Sequence, residues 1–182
     1  MQRRIHILGA SGSGTTTLGA ALAKKLGIPH FDSDNYFWVK TTIPYTQKTD
    51  IQTRVDDLNK DLAAPEWVLS GSLCEWGDFA IPLFTLVIFL WVPQELRLAR
   101  LKAREISRYG EEALSPGGWF HMNHIDFMEY ARSYDSGGLD VRSRQLHDRW
   151  LSKMPCPVLK IEEPLSIGDL ISKVQRRLPS CS

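Results

Sequence analysis

Apolar positions along the chain fall into short consecutive runs that alternate with stretches of helical period. The first run, Arg4 to Leu8, passes through the small-residue string Gly9 to Gly14 into a helix-forming stretch, Thr16 to Leu26, which Gly27 and Pro29 stop. Pro29, His30 and Phe31 lead into a second strand whose carboxyl end carries Asp32 and Asp34, ahead of Tyr36, Phe37 and Trp38. Thr49 and Gln52 have capping-box spacing, which predicts a helix through Arg54, Val55, Leu58 and Leu62 as far as Pro65. Trp67 to Ser70 reads as a third strand, closed by Ser70-Gly71-Ser72. Leu86 to Val92 is apolar on consecutive residues, the pattern of a parallel strand covered on both faces; Pro93 ends it and a helix runs from Gln94 to Arg108.

Residues 109–141 differ in character. Gly110, Ser115-Pro116-Gly117-Gly118 and Ser136-Gly137-Gly138 bracket an amphipathic helix from Phe120 to Tyr134, so this segment reads as a mobile insert. A helix from Val141 to Met154, a strand from Val158 to Ile161 and a last helix capped by Ser166 complete the count. Strands alternating with helices predict an α/β fold of three layers, with a parallel sheet of about five strands between helices. At 182 residues a single domain over 1–182 is expected.

Composition narrows the partners. A formal net charge of +1, with 24% charged residues, gives no general case for nucleic acid or an anionic membrane. The opening Met-Gln-Arg-Arg and the short run after it do not make a signal peptide, and the apolar stretch Ala80 to Val92, broken by Pro82 and Thr85, is shorter than the roughly 20 residues of a membrane span. Cys74, Cys156 and Cys181 are widely spaced and form no C-x-x-C, so a reducing cytoplasm is the expected compartment.

The string Gly9-Ala10-Ser11-Gly12-Ser13-Gly14-Thr15-Thr16 matches the phosphate loop G-x-x-x-x-G-K-[ST] at every fixed position but one, where Thr15 stands for lysine. Glycines let backbone N–H groups turn inward, and the following helix adds the positive end of its dipole, so a polyphosphate can be held by Gly9, Ser11, Gly12, Ser13, Gly14, Thr15, Thr16 and Thr17 without a lysine. The Thr16 hydroxyl takes the magnesium-ligand position. Lys24 and Lys25 lie about 13 Å further along the helix and read as surface charges. Arg97, Arg100, Arg104 and Arg108, at steps of three, four and four, share a helix face, and Arg142, Arg144 and Arg149 follow the insert; closure of the insert brings either group onto phosphates.

Loop, acidic second-strand end, Ser70-Gly71-Ser72, arginine-rich helix and glycine-bounded insert together resemble the nucleoside monophosphate kinase-like P-loop family, which includes adenylate, shikimate and gluconate kinases. The resemblance implies ATP and Mg2+ as cofactors, an acceptor-binding segment over about 39–64 and a lid over about 109–141. Phe31-Asp32-Ser33-Asp34 looks like the shikimate kinase segment in which the first acid helps hold magnesium and the second meets the acceptor hydroxyl, roles that pass to Asp32 and Asp34. Arg54 resembles the arginine that grips an acceptor's anionic group; read from the residues alone, it is equally an i,i+3 surface partner of Asp57. Ser70, Gly71 and Ser72 resemble the acceptor turn, and Arg100, Arg104 and Arg142 are the expected transition-state cations.

The chain departs from adenylate kinases in having no Gly-Phe-Pro-Arg string after the third strand, which weakens AMP as acceptor. His121 and His124 in the insert lack the cysteines of a lid zinc site. Tyr36, Trp38 and Trp76 read equally as a stacking surface for a base or sugar and as ordinary packing. The expectation is an ATP-dependent phosphotransferase that uses Asp34, Arg100, Arg104 and Arg142 on a small-molecule acceptor, with no nucleic-acid or membrane partner. The alternative is a non-catalytic nucleotide-binding protein that signals occupancy through lid closure.

Overall fold

Burial on two sides explains the strand pattern. In the computed structural model, which describes residues 2–178, the strands are β1 (Arg4–Gly9), β2 (His30–Asp32), β3 (Trp67–Ser70), β4 (Leu86–Leu90) and β5 (Val158–Ile161). They form one parallel sheet in the order β2-β3-β1-β4-β5. On β4, Leu86, Ile88 and Leu90 enter one core and Val87 and Phe89 the other, so no position is left for a polar residue. Helices α1 (Thr15–Leu26) and α8 (Ile167–Gln175) cover the first face with Leu18, Leu22 and Val174. Helices α3 (Ile51–Asp61) and α7 (Arg144–Leu151), with a 3-10 turn over Asp78–Leu83, cover the second with Leu58, Trp150 and Ala80. This is the three-layer α/β architecture that the alternation of elements predicts.

Several boundaries shift for local reasons. The aromatic cluster after Asp32 forms a one-turn helix, α2 (Asp34–Phe37). α3 is capped by Asp50, whose carboxylate accepts the N–H groups of Gln52 at 2.9 Å and Thr53 at 3.3 Å. Thr49, the predicted cap, donates its own N–H to the Phe37 carbonyl at 2.9 Å and belongs to the bridge between residues 38 and 48. Helix α4 (Gln94–Tyr109) is followed by α5 (Glu111–Leu114), α6 (His121–Arg132) and a 3-10 turn, Ser133–Asp135. α7 starts three residues later than the sequence predicts, because the Ser143 hydroxyl caps it by accepting the Leu146 N–H at 3.0 Å. Cys181 lies outside the described residues. No described helix is long and apolar enough to cross a membrane.

Candidate active site

All five strands point their carboxyl ends the same way, and β1 sits between β3 and β4, so the β1–α1 loop opens into the crevice where an α/β sheet takes its ligands. Gly12 and Gly14 adopt left-handed φ values of 80° and 97°. A Cβ at Gly12 would lie 2.7 Å from the Arg97 carbonyl, and one at Gly9 would lie 2.3 Å from the Leu90 carbonyl, so the close packing of this loop admits only glycine at both positions. Helix α1 begins without a side-chain cap, which leaves its first-turn N–H groups for a ligand. The Ser13 hydroxyl is buried in the loop with no partner among the described residues. These features fit a polyphosphate.

Two clefts meet at this loop. The larger, of about 680 Å³, is lined by Thr15, Thr16, Asp32, Asp34, Gly71 and Ser72 on its phosphate side. The smaller, of about 280 Å³, is lined by Ser13, Gly14, Thr17, Trp91, Arg100 and Pro164. Nothing in the Glu162-Glu163-Pro164 string marks it as a ligand wall in sequence; only the pairing of β5 beside β4 brings Pro164 to Thr17.

Asp32 ends β2 and accepts the Asp34 N–H through Oδ1 at 3.0 Å, which leaves its second oxygen toward the cleft. Asp34 opens α2. Its side chain is exposed to solvent at the cleft, yet partial desolvation by the surrounding protein, with the Asp32 charge, holds its carboxyl above the usual carboxylate range against the pull of Arg142 and Arg104. A carboxylate so placed is a better proton acceptor than a free surface aspartate.

Three arginines converge here, two from α4 and one from the loop that precedes α7. Arg100, on α4, donates through Nη1 to the Gly12 carbonyl at 3.4 Å. Arg142 donates through Nη2 to the Gly9 carbonyl at 3.0 Å, and its Nε is buried with no partner among the described residues. Arg104 and Arg142 both line the larger cleft and both act on the Asp34 charge. Lys24 and Lys25 are exposed at the far end of α1.

The predicted four-arginine face divides. Arg97 is fully buried, because it lies on the α4 face with Leu101 and Glu105: it donates to the Val92 carbonyl at 2.9 Å and the Ala131 carbonyl at 3.2 Å, and it pairs with Asp135. Arg108 stacks 5.1 Å over Tyr45 and 5.8 Å over Tyr109. Arg144 pairs with Glu162 at 2.6 Å.

Two acceptor residues also stand apart from the cleft lining. Arg54 is buried, donates to the Thr49 carbonyl at 2.7 Å and lies 3.9 Å over the Phe37 ring; no ion pair joins it to Asp57 among the described residues. Ser70 is the last residue of β3 and fully buried, with its hydroxyl 3.0 Å from His30 Nε2, so the turn exposed to the cleft is Gly71-Ser72 alone. In the insert, His121 bonds through Nδ1 to the Leu114 carbonyl at 2.7 Å, and His124 pairs with Glu105.

One network has no signature in the sequence. His147 lies with Nε2 3.2 Å from the Ser72 hydroxyl and Nδ1 2.9 Å from the Tyr134 hydroxyl. Burial, with Arg142 nearby, lowers its pKa to about 3, so the ring is neutral and links the β3 turn to the end of the insert. Its position on α7 reads in sequence as one polar residue of an amphipathic helix.

A family profile described as an AAA domain matches residues 5–114. Uncharacterized protein YqaC of Bacillus subtilis (strain 168) is 48% identical over 181 residues, 99% of each chain. Shikimate kinase from Acinetobacter baumannii in complex with shikimate superposes with a TM-score of 0.57 at 19% identity, over 97% of this chain and 93% of that one. A gluconokinase from Sinorhizobium meliloti 1021 gives a TM-score of 0.50 at 17% identity, over 94% and 88%. The chain belongs to this AAA-domain family, and its loop carries threonine where the phosphate-loop pattern has lysine. The fold resembles that of these small-molecule kinases.

Proposed function

We propose that the protein is an ATP- and magnesium-dependent phosphotransferase that acts on the hydroxyl of a small molecule. The observation that carries this reading is the convergence of Asp34, Arg104 and Arg142 on the cleft that opens from the uncapped start of α1. The N–H groups of Gly12 to Thr17 and the helix end bind the phosphates, and the smaller cleft beside Arg100 and Pro164 takes the base. Thr16 and Asp32 offer hard oxygen donors suited to magnesium. Bound MgATP supplies the transferable phosphoryl group and neutralises part of its charge. Asp34 orients the acceptor hydroxyl and takes its proton; Arg104 and Arg142 stabilise the charge that builds on the transferring group, the task a loop lysine would otherwise share.

A screen of labelled ATP against nucleosides, nucleotides, sugars, hydroxy acids and aromatic alcohols tests the reading. Magnesium-dependent labelling of one class, abolished in Asp34→Asn, is expected. ATP binding with no labelled product from any class would overturn it.

A further inference from the structure

The walls of the larger cleft beyond the phosphate side carry information on the acceptor. Among the described residues eight aromatic side chains line this cleft. Four of them are contiguous: Phe37 and Trp38 lie 4.9 Å apart between ring centroids, Trp38 and Tyr45 6.0 Å, and Phe37 and Trp76 6.2 Å. Phe127 and Tyr130 face the same space from α6. Trp76 and Phe120 are largely buried, and the remaining rings present an aromatic wall that matches a flat ring.

Charge points the same way. Six carboxylates and four cations line the cleft. Arg104 and Arg142 act on Asp34 at the phosphate side, and the two remaining cations are stacked on wall rings: Lys48 lies 5.8 Å from the centroid of Phe37, and Arg108 lies over Tyr45 and Tyr109. Glu75, Asp126 and Asp140 line the same cleft. Arg54, the cation that the sequence offers for an anionic acceptor, is committed to the Thr49 carbonyl and the Phe37 ring outside the lining. An acceptor with a carboxylate or phosphate would therefore meet added negative charge at close range beside Asp32, Asp34 and a bound polyphosphate.

We propose that the acceptor is an uncharged alcohol carried on a flat aromatic or heteroaromatic ring of nucleoside size, and that this cleft discriminates against anionic acceptors. The inference rests on the phosphotransferase reading above. In the step, the acceptor oxygen bonds to the γ-phosphorus as the bond from that phosphorus to the ADP oxygen breaks. The hydroxyl proton passes to Asp34, and the products are a phosphate monoester and ADP.

The test separates binding from transfer. With the full chain in saturating ADP and magnesium, so that the base cleft is filled, adenosine and uridine are titrated against tryptophan emission beside AMP, UMP, shikimate and gluconate. Saturable binding of at least one nucleoside, ten-fold or more tighter than its monophosphate and than either hydroxy acid, is expected. Trp38→Leu should weaken that binding ten-fold or more, Trp38→Phe should largely restore it, and both should leave the affinity for ADP within two-fold. Equal or tighter binding of the anionic compounds, or no nucleoside binding at all, would overturn the proposal. Each compound is then offered with labelled ATP. Nucleosides that bind and are never phosphorylated would remove the phosphotransferase reading and leave the ligand class standing; phosphorylation confined to the hydroxy acids would keep that reading and overturn this one.

Discussion

Asp34 carries the sharpest prediction at the scale of single residues. Its carboxyl is held above the ordinary range chiefly by desolvation, then by Asp32. The base form is therefore lost at a higher pH than a free aspartate would require, and kcat/KM should fall as pH drops through this raised value. Asp34→Asn should remove that limb and lower turnover by about 10²- to 10⁴-fold while the affinity for ATP holds. The loop glycines separate two kinds of cost. Gly12→Ala combines a left-handed backbone with a clash against the Arg97 carbonyl, whereas Gly14→Ala has the same backbone and open space. Urea unfolding should show a loss of about 1–3 kcal/mol for Gly12→Ala and a smaller one for Gly14→Ala. The loop and the Asp-Ser-Asp pair were legible because their residues are adjacent in the chain. The burial of Arg54, Ser70 and Arg97 is not legible in the sequence, because spacing fixes a helix or strand face but not which face turns inward.

Strands were the most legible elements, since runs such as Leu86 to Leu90 are apolar on both faces and only a buried parallel sheet accounts for that. α2 and α5, of four residues each, are too short to show a period. Joints between elements were invisible as well, because their partners are distant in sequence. Arg97 ties α4 to the end of the insert through Asp135 and the Ala131 carbonyl. Asp135→Asn leaves a buried guanidinium with only its backbone acceptors and one weaker partner, and thermal unfolding should report a loss of about 1–3 kcal/mol. His147 and His6 are both buried and lowered from 6.5 to about 3, His6 by desolvation alone among the lowering causes. Both rings stay neutral in the folded state while the unfolded chain takes up protons below about 6.5. Their contribution is full above that pH and is lost as pH falls toward about 3. His147→Gln should reduce the slope of melting temperature against pH in this window without abolishing it, since His6 remains.

At the scale of the molecule, the sheet order makes the site. With β1 central, its loop is flanked by the ends of β3 and β4, which bring Gly71-Ser72 from one side and α4 with Arg100 and Arg104 from the other. The return of the chain through the insert delivers Arg142 to the Gly9 carbonyl. Cations from two distant stretches thus surround a loop that carries none of its own. Neither the order of strands nor the depth of Arg142 can be read from spacing, although the arginine-rich character of both stretches could. The most direct test is the calorimetric affinity for MgATP in the wild type, Arg104→Ala and Arg142→Ala. The account predicts a wild-type Kd well below about 1 mM, weakened ten-fold or more, about 1.4 kcal/mol, by each substitution. A Kd unchanged in both variants would show that the loop does not depend on these arginines and would contradict it.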